Sequence, residues 1–354
     1  MNSSLINTEE AIIKINQELT SAVSRLKTDA LSLSPRYANL WGSIENLINS
    51  GGKRFRPYMS LIAFKCFSDE NYDSIIASVS AQELLHLALL VHDDIIDRDY
   101  IRYGVDNISG QYYKDYSKYL SDISEIRHYS DSAAILAGDL LISESYQMLI
   151  LNSPRDIQVE LMKIYQQSIF YVAGGELLDT ESAFIEDLDS ALKIAELKTA
   201  FYSFVTPLLI GATMAKADDN SIKILRKLGI NLGIAYQLLD DDLGAFGDEK
   251  LTGKSSFSDL KEAKKTYMIN EFNQIASKEL QDEFNKHFGK TDLTDDEAKQ
   301  LRKILIDSGA RQKNLDKIQS LKDSILTDID ELPISTDKKD LLNNLLKLTL
   351  ERNK

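Results

Sequence analysis

The chain has 354 residues, of which 43% are hydrophobic and 27% are charged, with only 5 prolines and 16 glycines. Because Leu, Ile, Ala, Lys, Glu and Asp dominate and helix-breaking residues are few, this composition predicts long, uninterrupted helices. The formal net charge of −14 at pH 7 argues against binding to nucleic acid and to anionic membranes, since both require a positive protein surface.

The N-terminal segment lacks the basic region and the continuous apolar run of a signal peptide. Its apolar residues recur at helical spacing, which predicts an amphipathic helix over 9–30 that ends before Ser34 and Pro35. No stretch approaches the roughly 18 uninterrupted apolar residues of a membrane-spanning helix. Cys66 is the only cysteine, so no internal disulfide can form. These features predict a cytoplasmic protein without stable membrane insertion.

Helical periodicity continues along the rest of the chain, and no segment is predicted to be a strand. Residues 106–130 differ because they are polar and rich in Tyr and Ser, and we expect an excursion between core helices there. The sequence has no internal repeat, low-complexity tract or linker, which predicts a single domain over residues 1–354. Further helices are predicted over 38–49, 58–68, 73–98, 131–151, 157–179, 188–216, 220–245, 260–274, 294–307, 311–329 and 336–350.

A basic cluster follows the second predicted helix. Gly51 and Gly52 precede Lys53, Arg54 and Arg56. Glycines let backbone approach a ligand closely, and three cations behind them suit a phosphate anchor. A solvated basic turn would have the same composition, so the cluster alone leaves both interpretations open.

Three aspartates end the strongly apolar helix predicted over 73–98. Asp93, Asp94 and Asp97 stand at i, i+1 and i+4, so the first and last project from one face about one turn apart. Carboxylates this close beside apolar surface repel each other, and a hard cation such as Mg²⁺ relieves the repulsion. His86, two turns before Asp93, can donate a hydrogen bond to phosphate, although a lone histidine on an apolar helix is more often a core residue.

A second cluster, Asp240–Asp242, ends a similarly apolar helix, and Gly244 takes the i+4 position. Mg²⁺ usually binds one or two protein carboxylates and completes its shell with water and substrate phosphate. Two such helices therefore predict ions around one diphosphate, which would assist heterolysis of a carbon–oxygen bond. Either cluster by itself is also compatible with a solvated helix end.

Two other polar pairs are weak signals individually. His92 and Asp93 form the pair found in HD phosphohydrolases, but that class needs further separated histidines, and only His128 and His287 remain. Lys198 and Thr199 lie within a predicted helix, where such residues usually face solvent.

Short motifs occur in a fixed order between residues 40 and 270. They are GGKRFRP, Glu83 with His86, HDDIID, Arg102, Gly138-Asp139, Gly175-Glu176, Lys198-Thr199, YQLLDDDLGAFGD, TGK and SDLKEAKKT. Together they resemble the trans-isoprenyl diphosphate synthases, the family of farnesyl, geranylgeranyl and longer polyprenyl diphosphate synthases. The resemblance implies an all-α isoprenoid synthase fold of antiparallel helices around a deep central cavity, usually in a homodimer. It also implies magnesium-dependent, head-to-tail condensation of isopentenyl diphosphate with an allylic diphosphate.

The resemblance assigns each candidate residue a role, with three magnesium ions expected beside bound diphosphate. The implied metal ligands are Asp93, Asp97 and Asp240, with Asp94 and Asp241 in support. The implied substrate ligands are Lys53, Arg56 and His86 for isopentenyl diphosphate, Arg102, Lys198 and Lys254 for the allylic diphosphate, and Lys264. Thr199 and Gln237 are implied to lie beside the carbocation.

The sequence departs from the family pattern at two positions. Tyr103 replaces the second arginine of a pair, which in the family contacts isopentenyl diphosphate, so the charge is lost while a hydrogen-bond donor remains. Gly244 replaces the last aspartate of the second motif. We expect a working enzyme because Asp240 and Asp241 remain.

Product length in this family depends on bulky residues upstream of the first motif. Ala88 and Leu89, five and four residues before Asp93, include no aromatic residue, which argues against a strict C15 product. Leu85 stands one turn deeper, about 5.4 Å along the helix. We therefore expect C20 geranylgeranyl diphosphate, with C25 to C35 or C15 products as alternatives.

Two other interpretations differ in kind. A class I terpene cyclase would not need the second anchor of Lys53, Arg56 and His86, and would carry an Asn-Ser-Glu triad in place of Asp240 and Asp241. A non-catalytic partner subunit of another synthase is supported only by Tyr103 and Gly244.

Overall fold

The computed structural model describes residues 6–102, 104–182, 185, 191–247 and 257–351. Helices dominate these residues, which confirms the all-α prediction. A 3₁₀ turn, Tyr72–Ile75, and a π-helix, Ala195–Val205, supplement the α-helices, and β1 (Ile101–Arg102) pairs with β2 (Val105–Asp106). The α-helices are α1 (Thr8–Leu33), α2 (Pro35–Asn49), α3 (Phe55–Phe67), α4 (Ile76–Ile96), α5 (Ile108–Tyr116), α6 (Ile123–Leu151), α7 (Gln158–Ser182), α8 (Ala191–Ile194), α9 (Thr206–Met214), α10 (Asp219–Phe246), α11 (Ser258–Lys261), α12 (Tyr267–Ile275), α13 (Lys278–Asn285), α14 (Asp295–Asp307), α15 (Ala310–Glu331) and α16 (Thr336–Leu350).

The chain folds as two compact units. Unit 1 comprises Met1–Lys163 with Ile210–Lys216, and unit 2 comprises Ile164–Leu209 with Ala217–Lys354. Each unit holds one of the two aspartate clusters. The single domain predicted over 1–354 stays a prediction.

Unit 1 is built around α4, which packs against α1, α3 and α6. Helix α4 is apolar nearly all round, as expected of a helix buried inside a protein. Cys66 on α3 is fully buried. The first aspartate cluster thus ends a helix that is largely buried within this unit.

Unit 2 is built around α10, which packs against the π-helix and α15. A separate apolar cluster joins α12, α13 and α14 through Phe272, Phe284, Leu301 and Leu305. The second aspartate cluster lies in the last two turns of α10, and Ala245 of the same helix belongs to the C-terminal apolar cluster.

Several predicted bounds were wrong for local reasons. No strand was predicted where β1 and β2 pair, because two-residue strands carry no alternation to detect. The helix predicted over 260–274 is divided, with residues 262–266 between α11 and α12, and α13 was not predicted. The helix predicted over 188–216 changes to a π-helix along Ala195–Val205.

The Tyr-rich segment 106–130 is more ordered than an excursion. Residues 108–116 form α5, which packs on α6, and residues from Ile123 onward already belong to α6. Tyr112 stacks on Tyr116, with ring centroids 5.5 Å apart. These tyrosines help line a cavity of about 920 Å³ within unit 1. Stacked tyrosine rings, rather than apolar residues at helical spacing, therefore pack this segment.

Within the described ranges, two helices are long and apolar enough to cross a membrane by length and composition, one over Tyr72–Ile96 and the other α6. The most apolar window of the first is 72% buried within the protein, which is typical of a core helix. The corresponding window of α6 is 44% buried. This is weak evidence for a span, and the absence of membrane insertion stays a prediction.

Candidate active site

The first aspartate cluster lies at the carboxyl end of α4. Asp94 is buried, with 3% of its side chain exposed, whereas the Asp93 side chain is 25% exposed. Asp97 follows the last helical residue, its backbone N–H donates to the Asp93 carbonyl, and it is exposed. The cluster therefore presents Asp93 and Asp97 outward and turns Asp94 inward.

Arg102 on β1 is paired with two of these aspartates. Its Nε donates to Oδ1 of Asp94 at 2.6 Å, and its Nη2 donates to Oδ2 of Asp93 at 3.3 Å. Burial raises the pKa of Asp94, and the Arg102 guanidinium opposes that shift. The structure thus brings Arg102, Asp93 and Asp94 together, with the arginine supplying the positive charge that the buried carboxylate requires.

Of the three cations after Gly52, Arg54 serves the fold. It is buried in the left-handed region at φ 49°, and its guanidinium donates to Oδ1 of Asn16, the Ile48 carbonyl and Oε2 of Glu83. This fixes the turn between α2 and α3 to α1 and α4. Lys53 is exposed and Arg56 is partly exposed, so these two predicted anchors keep access to a ligand.

His86 lies among cations. Burial and then the charges of Arg56, Arg102 and Arg54 lower the pKa of His86 well below its ordinary value. A neutral imidazole can still donate one hydrogen bond. The predicted residues Arg56, His86 and Arg102 therefore form one positive region of unit 1, suited to an anion.

In unit 2, the π-helix carries Lys198 and Thr199. Its neighbours approach it unusually closely: a Cβ on Gly175 of α7 would lie 2.3 Å from the Lys198 backbone N, and one on Gly233 of α10 would lie 2.4 Å from the Ala200 Cα. Such contacts are possible only for glycine. Wide turns of this kind are frequent at functional sites, and here one sets the position of Lys198 and Thr199.

Lys198 is held by two acidic residues of α7. Its Nζ lies 2.6 Å from Oδ2 of Asp179 and 2.9 Å from Oε2 of Glu176. Burial opposes the charge of Lys198, but Asp179 and Glu176 outweigh it and raise the pKa. Sequence reasoning indicated Glu176 only as part of a motif, and it missed Asp179 because an isolated aspartate in a helix carries no signal.

A chain of hydrogen bonds joins four of the predicted residues. The Thr199 hydroxyl donates to Oε1 of Gln237 at 2.7 Å, and Gln237 Nε2 donates to Oδ1 of Asp241 at 2.9 Å. Lys264 Nζ donates to the same Asp241 oxygen at 3.0 Å. Burial opposes the charge of Lys264, but the carboxylates of Asp241 and Asp259 outweigh it and raise its pKa.

The three consecutive aspartates of α10 occupy different environments. Asp240 is partly exposed, and Asp241 is buried and bound to Lys264 and Gln237. Asp242 accepts two hydrogen bonds from Arg311 of α15, both at 3.0 Å. Asp242 therefore ties α10 to α15, and Arg311 is a supporting residue that the sequence did not indicate.

Two predicted ligands, Tyr103 and Lys254, lie outside the described residues. The chain-length candidates all lie on α4. Ala88 is fully buried and Leu85 is 3% exposed, whereas Leu89 is partly exposed. At 100° per residue, Leu89 projects about 40° from the direction of Asp93, and Ala88 about 140° away. Leu89 thus shares the face that carries the exposed aspartate.

The donor set fits magnesium rather than a transition metal, because the candidates that solvent reaches, Asp93, Asp97 and Asp240, are all hard oxygen ligands. Among the described residues, no three His, Cys, Asp or Glu side chains are arranged to hold a metal ion by themselves. Magnesium commonly takes only one or two carboxylates, and its other positions go to water and substrate phosphate.

Known proteins match the chain along most of its length. The polyprenyl synthetase family matches residues 38–305. The geranylgeranyl diphosphate synthase of Sulfolobus acidocaldarius is 34% identical over 235 residues, which are 65% of this chain and 66% of that protein. The geranylfarnesyl diphosphate synthase of Aeropyrum pernix is 28% identical over 333 residues, 92% of this chain and 97% of that protein.

A solved structure extends this likeness to the fold. The geranylgeranyl pyrophosphate synthase of Corynebacterium glutamicum, complexed with isoprenyl diphosphate and magnesium, superposes with a TM-score of 0.87 at 25% sequence identity. The match covers 98% of this chain and 100% of that chain.

Proposed function

Since the chain belongs to the polyprenyl synthetase family and is a head-to-tail trans-prenyltransferase of the isoprenoid synthase fold, we propose that its product is C20 geranylgeranyl diphosphate. The substrates are isopentenyl diphosphate and an allylic diphosphate of 5, 10 or 15 carbons. The observation that supports the catalytic role is the set of predicted polar residues gathered at the carboxyl ends of α4 and α10, each within its own unit. A non-catalytic subunit would not need either set.

The family is magnesium-dependent, and we assign the metal sites to Asp93, Asp97 and Asp240, with three ions when diphosphate is bound. Bound magnesium supplies positive charge that stabilises the departing diphosphate. The partial exposure of Asp93 and Asp240 and the exposure of Asp97 support this assignment. Asp94 and Asp241 act behind them by holding Arg102 and Lys264.

The remaining residues bind and orient the substrates. Lys53, Arg56 and the neutral His86 bind isopentenyl diphosphate, and Tyr103 is assigned beside them. The other cations, Arg102, Lys198, Lys254 and Lys264, bind the allylic diphosphate. Because Lys198 is fully protonated in the field of Glu176 and Asp179, it keeps its charge throughout the neutral pH range.

Catalysis follows from positioning and charge stabilisation. The allylic carbon–oxygen bond breaks, the diphosphate leaves with the electron pair, and the double bond of isopentenyl diphosphate attacks the allylic cation. The released diphosphate then accepts the proton that the new C–C product loses. Thr199 and Gln237, fixed by the bond to Asp241, place two oxygen dipoles where they stabilise a cation without reorganising.

Side chains of α4 favour the C20 length. Leu89 shares the face of Asp93 and is smaller than an aromatic residue. A C15 chain can therefore be elongated past it. Leu85 then closes the path one turn deeper. The likeness to a geranylfarnesyl diphosphate synthase keeps a C25 product as the alternative.

We further propose a homodimer that works in the cytoplasm. Large apolar side chains stand exposed at intervals along α6, and we propose that a second copy of the chain covers some of them. They include Ile123 at 57% exposure, Ile135 at 47%, Leu136 at 58% and Leu151 at 72%. Light scattering after gel filtration would give twice the 39.9 kDa chain mass, and a single chain mass would contradict the dimer.

The experiment that tests the function uses the purified protein, magnesium, labelled isopentenyl diphosphate and one of three primers with 5, 10 or 15 carbons. Dephosphorylated products are separated by chromatography. Elongation of each primer to C20 is expected, and elongation to C25 would replace the proposed length. A folded, magnesium-replete protein that elongates no primer would overturn the enzyme assignment and favour a partner subunit.

A further inference from the structure

The side chain missing at Gly244 leaves a specific space on α10. Gly244 lies four residues after Asp240 and is buried. An aspartate there would place a further carboxylate one turn beyond Asp240, as Asp97 does after Asp93 in the first cluster. The second cluster therefore has a position for a carboxylate that its own helix does not fill.

The carboxylate of Asp259, from α11, lies against this position. A Cβ built on Gly244 would lie 2.3 Å from Oδ2, 2.6 Å from Cγ and 2.9 Å from Oδ1 of Asp259. All three atoms of one carboxylate are thus closer than a real Cβ contact allows. Asp259 occupies the start of the space that an aspartate at 244 would use, and the Asp259 side chain is 14% exposed.

The same carboxylate faces Lys264. Lys264 Nζ lies 3.0 Å from Oδ1 of Asp241 and 4.0 Å from Oδ2 of Asp259, and its backbone N–H donates to the Asp259 carbonyl at 3.0 Å. One ammonium group therefore sits between a carboxylate of α10 and a carboxylate of α11. Two flanking anions fix a flexible lysine more tightly than one.

We propose that Asp259 supplies the carboxylate that Gly244 lacks and acts as a positioning residue, which holds the Lys264 ammonium beside Asp241 for a diphosphate ligand. The proposal rests on the proposed function, in which Lys264 binds diphosphate. It explains Gly244 as one half of a matched pair: glycine is required at 244 because Asp259 is present. The second motif then lacks no carboxylate, because Asp259 provides it from α11.

The test is a double-mutant cycle on the full-length protein. Isothermal titration measures affinity for inorganic diphosphate with magnesium, and steady-state kinetics measures KM for the allylic substrate. Asp259→Asn keeps the shape and removes the charge, so affinity should fall by roughly tenfold or more, with KM for isopentenyl diphosphate unchanged. In a Lys264→Gln background, Asp259→Asn should have no further effect, because the lysine it positions is gone.

A relocation variant separates position from charge. Gly244→Asp alone should lose diphosphate affinity because its side chain meets Asp259, and Asp259→Gly alone should lose the carboxylate. Gly244→Asp combined with Asp259→Gly should recover most of the wild-type affinity. Asp282→Asn, an exposed carboxylate of unit 2, serves as the control and should match wild type.

Three results would overturn the inference. They are wild-type affinity in Asp259→Asn, an equal loss from Asp259→Asn with and without Lys264, and no recovery in the relocated pair. If wild type binds magnesium diphosphate but elongates no primer, the proposed function fails while the role of Asp259 is still tested by the titration.

Discussion

Both aspartate clusters lie at the carboxyl end of an apolar helix, but different cations neutralise their buried carboxylates. The first, on α4, buries one carboxylate, Asp94, and neutralises it with Arg102 from the β-hairpin. The second, on α10, buries two, and neutralises Asp241 with Lys264 and Asp242 with Arg311. Each cluster leaves an accessible carboxylate ahead of its buried ones, Asp93 and Asp240 respectively.

The difference teaches which carboxylates are available to metal. A buried carboxylate is costly without a cation, and in both clusters a protein side chain supplies that cation. Carboxylates exposed to water can instead take a hard ion together with substrate phosphate. On the proposed assignment, burial rather than position within the motif separates metal ligands from carboxylates that hold protein cations.

The largest effect should come from an exposed metal candidate. Asp93→Asn keeps the side-chain shape and weakens its affinity for hard cations, and we expect kcat to fall by about 10²- to 10³-fold, as for loss of one preorganised electrostatic contact. The measurement is kcat at saturating substrate and magnesium. Asp115→Asn, an exposed carboxylate on α5, should keep wild-type turnover. Equal losses in both variants would contradict the assignment of metal to Asp93.

A large stability effect should follow when the Asp242 pair is broken. Arg311→Met leaves Asp242, with 8% of its side chain exposed, without its two charged hydrogen bonds, and should lower the free energy of unfolding by about 3 kcal/mol. The measurement is urea-induced unfolding. Lys299→Met removes an exposed pair with Asp296 and should change stability by less than about 1 kcal/mol. Similar values for both variants would contradict a structural role for Asp242.

His86 gives the first unit a pH dependence with a defined sign. Because its pKa is lowered in the folded state, the unfolded chain binds more protons below the ordinary histidine pKa of about 6.5, so stability is full above that pH and falls as the pH decreases. His86→Gln should reduce the loss of stability between pH 7 and pH 5. His128→Gln, on the exposed side of α6, should keep the wild-type loss. An unchanged slope in His86→Gln would show that the histidine is not held neutral.

The smallest change concerns product length rather than rate. Leu89→Phe places an aromatic ring on the face of Asp93, and we expect product to shift from C20 towards C15 with the fold retained, because Leu89 is partly exposed. Ala88→Phe should instead destabilise the protein by about 1–3 kcal/mol, because Ala88 is fully buried. Chromatography of the products and urea unfolding distinguish the two variants. An unaltered product from Leu89→Phe would remove Leu89 from the chain-length path.

The sequence could predict the helices that carry the motifs, because α4 and α10 have long apolar runs ending in aspartates. The resemblance assigned Asp240 and Asp241 to metal and gave Asp242 no role. The residues alone could not show that Lys264 binds Asp241 or that Arg311 binds Asp242, since these partners are distant in the chain and no periodicity links them. Composition alone did not distinguish Arg54 from Lys53 and Arg56. The resemblance assigned only the latter two to substrate, and the structure shows that a left-handed turn directs Arg54 to Glu83. The π-helix was missed because its turns differ from α-helix only in backbone hydrogen bonding, which side-chain patterns do not report.

The most direct test of this division counts bound metal. Electron paramagnetic resonance with Mn²⁺ and inorganic diphosphate gives the number of ions held by wild type, Asp240→Asn and Asp242→Asn, each checked for folding by circular dichroism. We expect Asp240→Asn to bind fewer ions than wild type and Asp242→Asn to bind the same number. A loss of ions in Asp242→Asn with full binding in Asp240→Asn would contradict the assignment of metal to exposed carboxylates and of protein cations to buried ones.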